Sequence, residues 1–308
     1  MINNNIFNKS KDLLKLVTFE YQNSKRIGAL FDKFVIDLQQ ACKSMPSDMK
    51  SLLSLGTTEY NKIINVLESD NEKYRISLDS IKIKAPIENP DKVICIGLNF
   101  RDHAKEGNFQ IPSEPVVFSK FVNSICGHND FIVKPKETDQ VDYEVELVIV
   151  IGKEAKNVSK EEALSYVAGY TVGNDISARD WQLHKPAGQW LLGKSFDTFA
   201  PIGPSITINP LQIDSQRDIV SLDPNHLNLK CILNGETLQN GNTKEFVFNS
   251  QELISYISRV ITLKPGDIIF TGTPAGVGFT RNPPLYLKPG DHVVCEIENL
   301  GKLENYVK

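Results

Sequence analysis

The chain has 308 residues, 41% hydrophobic and 23% charged, with a formal net charge of −4. This is an ordinary globular mix, long enough for one large domain with a smaller companion. The lack of a basic block argues against nucleic-acid binding, and no apolar run approaches the roughly 20 residues that a membrane span needs.

Residues 1–15 are rich in asparagine and carry Lys9, Lys11 and Lys15 against Asp12. They contain no apolar segment of the kind a secretory signal requires. A short mitochondrial presequence and a plain tail both stay open, so the expected location is mitochondrial or cytoplasmic. Five scattered cysteines, Cys42, Cys95, Cys126, Cys231 and Cys295, form no CxxC pair. They indicate neither a disulfide framework nor a zinc knuckle, and they fit a reducing compartment.

Alternation and turn residues predict strands over 13–21 and 26–38, joined at Asn23-Ser24-Lys25. Helical spacing of Ile63, Val66 and Leu67 supports a helix over 59–68, after another over 48–55. Residues 81–84 alternate like an edge strand, and Pro86 and Pro90 then bracket a stiff joint. A boundary placed there divides the chain into a small α/β domain, 1–88, and a main domain, 89–308. The first contains no convergent polar cluster and is expected to pack against or orient the second.

Residues 93–97 read as a strand, and Asn99 suits the cap of a short helix that contains His103 and Glu106 and stops at Gly107. Positions i and i+3 share a helix face. A carboxylate beside an imidazole fixes its tautomer and raises its basicity, as a general base requires. An incidental pair on a solvated helix is the plainer alternative. Further strands are predicted over 114–121 and 130–134.

The stretch Tyr143-Glu144-Val145-Glu146-Leu147-Val148-Ile149-Val150-Ile151 reads as a buried strand opening on two carboxylates. Residues i and i+2 of a strand face the same side, so Glu144 and Glu146 stand together. Bare carboxylates that close repel one another and lose solvation at the mouth of an apolar strand. A hard cation between them removes both penalties, and oxygen ligands suit Mg²⁺, Mn²⁺ or Ca²⁺. Two side chains facing water at a strand end remain the alternative.

After a strand over 166–172, Gly173-Asn174-Asp175 is expected to turn the chain into a helix over 176–183. On that helix Asp175, Arg179 and Gln182 share one face. Asp175 offers a third oxygen ligand, and Arg179 with Gln182 suits a carboxylate or dicarbonyl substrate; a simple helix cap with an i,i+4 partner would also explain Asp175 and Arg179. The run Gly188-Gln189-Trp190-Leu191-Leu192-Gly193-Lys194-Ser195 fits the P-loop formula. Its bulky interior and helical approach do not suit a phosphate cradle. Lys194 instead reads as a single lysine carried into a site by a strand.

Strands over 206–208 and 227–233, a turn at Asn234-Gly235 and a helix over 250–260 follow. Leu263-Lys264-Pro265-Gly266-Asp267 recurs as Leu287-Lys288-Pro289-Gly290-Asp291, a type II turn signature that introduces a strand each time. Between the copies lies the loop Thr271-Gly272-Thr273-Pro274-Ala275-Gly276-Val277-Gly278. Its amides and the Thr273 hydroxyl could hold an anion, or the loop could be a tight β connection.

Together and in this order, several of these stretches resemble the fumarylacetoacetate hydrolase family. They are Gly97-Leu98-Asn99-Phe100 with Asp102-His103 and Glu106; Glu144-Val145-Glu146; Asp175 with Ser177-Ala178-Arg179-Asp180; Lys194-Ser195-Phe196; and Thr271-Gly272-Thr273-Pro274. Trp181-Gln182, 189–194 and Phe196-Asp197-Thr198-Phe199 look like a subgroup to which oxaloacetate tautomerase activity has been assigned.

The resemblance implies an α+β, mostly β fold, a mixed β-roll catalytic domain behind the small N-terminal one, and a homodimer. It implies a small oxo-acid substrate and Mg²⁺ as cofactor, with Mn²⁺ or Ca²⁺ possible. Glu144, Glu146 and Asp175 would hold the metal, and His103, Glu106 and Lys194 would be catalytic. Arg179, Gln182 and Thr273 would bind substrate. Oxaloacetate enol–keto tautomerisation is the expected reaction. C–C hydrolysis of acylpyruvates, decarboxylation, or a non-catalytic binding protein that kept the fold are the alternatives.

Overall fold

A computed structural model describes residues 13–31, 33–69, 71–214 and 220–308, so most of the expected leader lies outside the described residues. The N-terminal part opens with antiparallel strands β1 (Lys15–Tyr21), β2 (Ser24–Phe31) and β3 (Phe34–Asp37). The predicted strand over 26–38 is thus two strands. The first turn is one residue tighter than expected. Tyr21 pairs with Ser24, and Gln22 and Asn23 take φ of 50° and 58°, the type I′ geometry that matches strand twist. Helices α1 (Met49–Leu55) and α2 (Thr57–Glu68) follow as expected, then β4 (Arg75–Ser77).

The remainder contributes β5 (Val93–Gly97), α3 (Arg101–Glu106), β6 (Val116–Lys120), β7 (Val145–Ile151), β8 (Val167–Asn174) and α4 (Trp190–Lys194). After these come β9 (Ala200–Ile208), β10 (Asn228–Leu233), β11 (Glu236–Asn242), α5 (Ser250–Val260), β12 (Ile268–Phe270), β13 (His292–Ile297) and β14 (Gly301–Val307). The main sheet runs β4-β3-β2-β1-β9-β8-β7-β12-β5-β6, mixed because β12 and β5 are parallel. Strands β11-β10-β13-β14 form a second sheet. The chain is α+β and mostly β, as expected. β1 pairs with β9, so the residues on either side of position 88 share a sheet.

β7 is buried on both faces, and its alternation sorts two cores. Val145, Leu147, Ile149 and Ile151 pack with Leu229, Cys231 and Val293 of the second sheet. Val148 and Val150 pack with Leu52, Ile63 and Leu16 of the N-terminal part. A strand covered on both sides reads as a continuous apolar run, which is why it was legible in the sequence. The paired Pro-Gly turns hold as well: Gly266 and Gly290 take φ of 85° and 96°. Each following aspartate caps its turn, Asp267 accepting from the Lys264 amide at 2.7 Å and Asp291 from the Lys288 amide at 2.9 Å.

Three local expectations fail for tertiary reasons. Residues 176–183 are no α-helix: Ser177–Ala178 pairs with Val141–Asp142, and a π-helical turn, Asp180–His184, follows. Lys194 ends helix α4 and does not lie on a strand. Asn99 caps nothing; its amide donates to the carbonyls of Phe248 and Thr271 and accepts from the Phe248 amide, stitching the start of α3 to the loop at 271–278.

Candidate active site

The site forms where two antiparallel strand ends meet. Val145 of β7 lies opposite Asn174 of β8, and the pairing runs one step further. The Asp175 amide donates to the Glu144 carbonyl at 2.9 Å, and the Glu144 amide to the Asn174 side chain at 2.9 Å. Asp175 therefore becomes the cross-strand neighbour of Glu144. Glu144 and Glu146 take the face that carries Val148 and Val150 further along. All three carboxylates are buried, and one oxygen from each lies within 4.8 Å of the others.

Three cations face this triad. Lys194 Nζ donates to Glu144 and Asp175, each at 2.9 Å. Arg179 donates through Nη2 to Glu144 at 2.5 Å, through Nη1 to Gln182 Oε1 at 2.9 Å and through Nε to Asp142 at 2.9 Å. Lys120 sends its three N–H groups to the carbonyls of Ile176, Lys194 and Phe199 while its Nζ lies 2.7 Å from Asp175 Oδ1. Burial alone would raise the Glu144 carboxyl, but Lys194 and Arg179 outweigh it and hold it down at about 2. Glu146 makes no ion pair among the described residues. Burial, then Asp175 and Glu144, push it well above the ordinary carboxyl range. Two carboxylates on one strand thus differ sharply because their neighbours do.

Two observations suit a bound cation. Asp175 Oδ1 is buried and accepts no hydrogen bond, since the N–H groups of Lys120 are spent on carbonyls. Four buried carboxyl groups, Asp142, Glu144, Glu146 and Asp175, also face three fixed cations, so full ionisation of the four calls for one cation more. An all-oxygen donor set of this kind fits a hard divalent ion.

The predicted site residues converge, although the shared helix face proposed for three of them does not exist. His103, Asp175, Arg179, Gln182, Lys194 and Thr273 line one pocket of about 180 Å³ with Glu144 and Glu146. Glu106 reaches it through His103, whose Nδ1 lies 3.6 Å from Glu106 Oε2. That is an ion-pair distance, too long for a hydrogen bond. Glu106 is instead fastened by the Gly276 amide, 3.0 Å from both its oxygens, which ties α3 to the glycine-rich loop. Burial would raise its carboxyl; His103, the Gly276 amide and Thr280 leave it below its usual value.

The loop at 271–278 does grip carboxyl groups, and they are the chain's own. Gly272 N donates to Glu146 at 2.7 Å and Gly278 N to Asp142 at 2.7 Å. The Thr273 hydroxyl is committed to the Val145 carbonyl at 2.9 Å and to Gln239 at 2.8 Å. Sequence reasoning missed Lys120, Asp142, Phe118, Trp190 and Phe279. Only Asp142 left a signal, since it precedes Glu144 by two residues and extends the same alternation. It accepts from Arg179 and from the amides of Tyr143, Gly278 and Phe279, and Phe279 covers the guanidinium at 4.3 Å. In α4, Gly193 lets the helix lie against the 178–182 turn, because a Cβ there would come within 2.8 Å of the Gln182 amide nitrogen.

Residues 92–308 match the fumarylacetoacetate hydrolase C-terminal family model. The chain belongs to the fumarylacetoacetate hydrolase family. It is 60% identical over 301 residues, 96% of this chain and 98% of the other, to a fumarylacetoacetate hydrolase domain-containing protein 2 homologue of Dictyostelium discoideum. It is 43% identical over 273 residues, 89% of this chain and 83% of the other, to the mitochondrial oxaloacetate tautomerase FAHD2A of Homo sapiens. Among solved structures, a fumarylacetoacetate hydrolase from Exiguobacterium antarcticum superposes with a TM-score of 0.80 at 34% identity, over 96% of this chain and 99% of that one. Membership makes this an enzyme of the isomerase and hydrolase kind, and the buried triad is its candidate metal centre.

Proposed function

We propose that the chain is an oxaloacetate enol–keto tautomerase, with Mg²⁺ held by Glu144, Glu146 and Asp175 and with Mn²⁺ or Ca²⁺ as substitutes. The buried, converging acidic triad carries this reading, and relatives named oxaloacetate tautomerase support it. A divalent ion supplies Lewis acidity that stabilises enolate charge.

The chain's own groups do the rest. Lys194 uses two of its three N–H bonds on Glu144 and Asp175, which leaves the third for an enolate oxygen. The Gln182 carbonyl is taken by Arg179, so its NH₂ end is left to donate to a substrate carboxylate. His103, buried at the pocket with an unbonded Nδ1, moves the proton between the enol oxygen and C3, and Glu106 orients it. The approach of His103 to Glu106 also favours a second reading, acylpyruvate hydrolysis with this pair activating water. Decarboxylation is a third outcome of the same enolate. The intact triad argues against a binding protein without activity.

The decay of enol-oxaloacetate absorbance should be accelerated by the protein with Mg²⁺ and return to the buffer rate in EDTA; no metal-dependent acceleration removes the reading. His103→Ala is expected to suppress tautomerisation by roughly 10²-fold or more, because it removes the group that moves the proton. Loss of acetylpyruvate cleavage with tautomerisation intact would instead assign the His103–Glu106 pair to water activation.

The reading includes a homodimer. Phe131 and Tyr306 are neighbours in register and expose 54% and 48% of their surface, an apolar strip suited to a second copy. Sedimentation at micromolar concentration should show the dimer, and a monomer would refute it. Among the described residues no helix is long and apolar enough to cross a membrane. A mitochondrial location, as in the names of the vertebrate relatives, is proposed and is testable by import into isolated mitochondria.

A further inference from the structure

Much of the pocket lining has no use for a small dicarboxylate. Seven of its sixteen residues, Ile96, Leu98, Phe109, Phe118, Leu183, Trp190 and Phe279, are apolar or aromatic, and none of them carries a charge. Trp190 and Phe118 meet edge to face at 5.3 Å. The apolar part begins beside the reactive end, because Lys194 Nζ lies 5.2 Å from the centre of the Phe118 ring. Trp190 packs onto the strand end at Gly97, where a Cβ would come within 3.1 Å of the indole.

Leu98 shows that this wall is built. Its φ is +54°, a left-handed conformation that strains a non-glycine residue. Such strain persists only where the surroundings impose it, and it clusters at ligand sites. Here it sets a leucine in the pocket lining. Leu183 is 40% exposed at the rim, and Phe118, Trp190 and Phe279 are only half-buried. Apolar surface left open to a pocket favours a ligand whose own apolar group covers it, whereas a carboxylate placed against it loses solvation without a partner.

We infer, resting on the tautomerase reading above, that the site also accepts 2-oxo acids bearing one apolar or aromatic group on C3 and interconverts their enol and keto forms. The substrate carboxylate and enol oxygen lie at the ionic floor, and the C3 substituent lies against Phe118 and Trp190. The enol O–H gives up its proton and the O–H pair becomes the carbonyl π bond. The C2=C3 π pair takes a proton at C3, so no oxidant, reductant or co-reactant is needed. A cavity of roughly 150 Å³ holds benzene; this pocket of about 180 Å³ must also take the oxo-acid head, so a single ring or a branched alkyl group is the upper bound and reaches toward the exposed Leu183.

The test uses the Mg²⁺-loaded full chain with the enol of phenylpyruvate as probe and enol-oxaloacetate as reference. Both enols should decay faster than in buffer. Calorimetric titration with phenylpyruvate should show a negative heat-capacity change, the mark of apolar burial. Leu183→Lys puts an ammonium on the exposed rim and should lower the ratio of kcat/KM for phenylpyruvate over oxaloacetate about tenfold. Acceleration of oxaloacetate alone overturns the inference and leaves the tautomerase reading standing. Acceleration of neither enol overturns the reading on which the inference rests. Acceleration of both, with a ratio that Leu183→Lys does not move, takes the substituent away from this wall and overturns the assignment.

Discussion

Glu146→Gln is expected to abolish Mg²⁺ binding, lower catalysis by roughly 10²-fold or more, and leave the metal-free protein at least as stable as before. The signs oppose each other because Glu146 is the member of the triad without a cationic partner among the described residues. It lies buried against Asp175 and Glu144, and both push its carboxyl up. A carboxyl raised in the folded state favours the unfolded chain as pH climbs from the ordinary glutamate value of about 4.3, because the unfolded chain ionises first. The wild type in EDTA should therefore lose stability toward neutral pH, and the glutamine variant should not share that loss. The carbonyl of the introduced side-chain amide would still accept from the Gly272 N–H that now bonds Glu146 at 2.7 Å, so the loop keeps its anchor.

The same shift predicts proton release when the metal binds. The ion must displace a proton that Glu146 retains, so affinity should fall as pH is lowered. Calorimetry in buffers of differing ionisation enthalpy reads this directly. Undiminished Mg²⁺ binding by the variant would remove the triad from consideration as a metal centre. Binding by the wild type without proton release would show that Glu146 is ionised before the ion arrives.

Lys120→Met is expected to give the largest loss of stability, on the order of 3–5 kcal/mol, the usual cost of removing one partner from a buried ion pair. Methionine matches the length of the side chain and little else. Its thioether leaves the carbonyls of Ile176, Lys194 and Phe199 without their shared donor, and it leaves Asp175 Oδ1 without the ammonium 2.7 Å away. Each unsatisfied buried acceptor adds its own desolvation cost. At a few degrees per kcal/mol for a chain of this size, Tm should fall by about 10 °C. Chemical denaturation would check the free energy, and a loss below about 1 kcal/mol would mean that water or a shifted side chain replaces the ammonium.

These two residues also mark how far the sequence can be read. Glu146 was legible because a strand has a period of two, and a carboxylate two places from another on an apolar strand must share its face. The helix at 250–260 and the repeated Pro-Gly turns were legible for the same kind of reason: local chemistry decides them within a few residues. Lys120 had no local signature. Its partners are Ile176, Lys194 and Phe199, 56, 74 and 79 residues away.

What the amino-acid order determined by itself was periodicity, turns and the inventory of acids and bases, together with a family likeness that the fold and the family match bear out. What tertiary structure alone decided was pairing. The backbone of residues 177–178 joins strand Val141–Asp142, and that partner outweighs the helical pattern the segment carries. Arg179 consequently meets Asp142 and Glu144 instead of Asp175, while Asp175 takes Lys120 and Lys194. Which cation neutralises which carboxylate depends on contacts between residues dozens of positions apart, and short-range spacing carries no record of them.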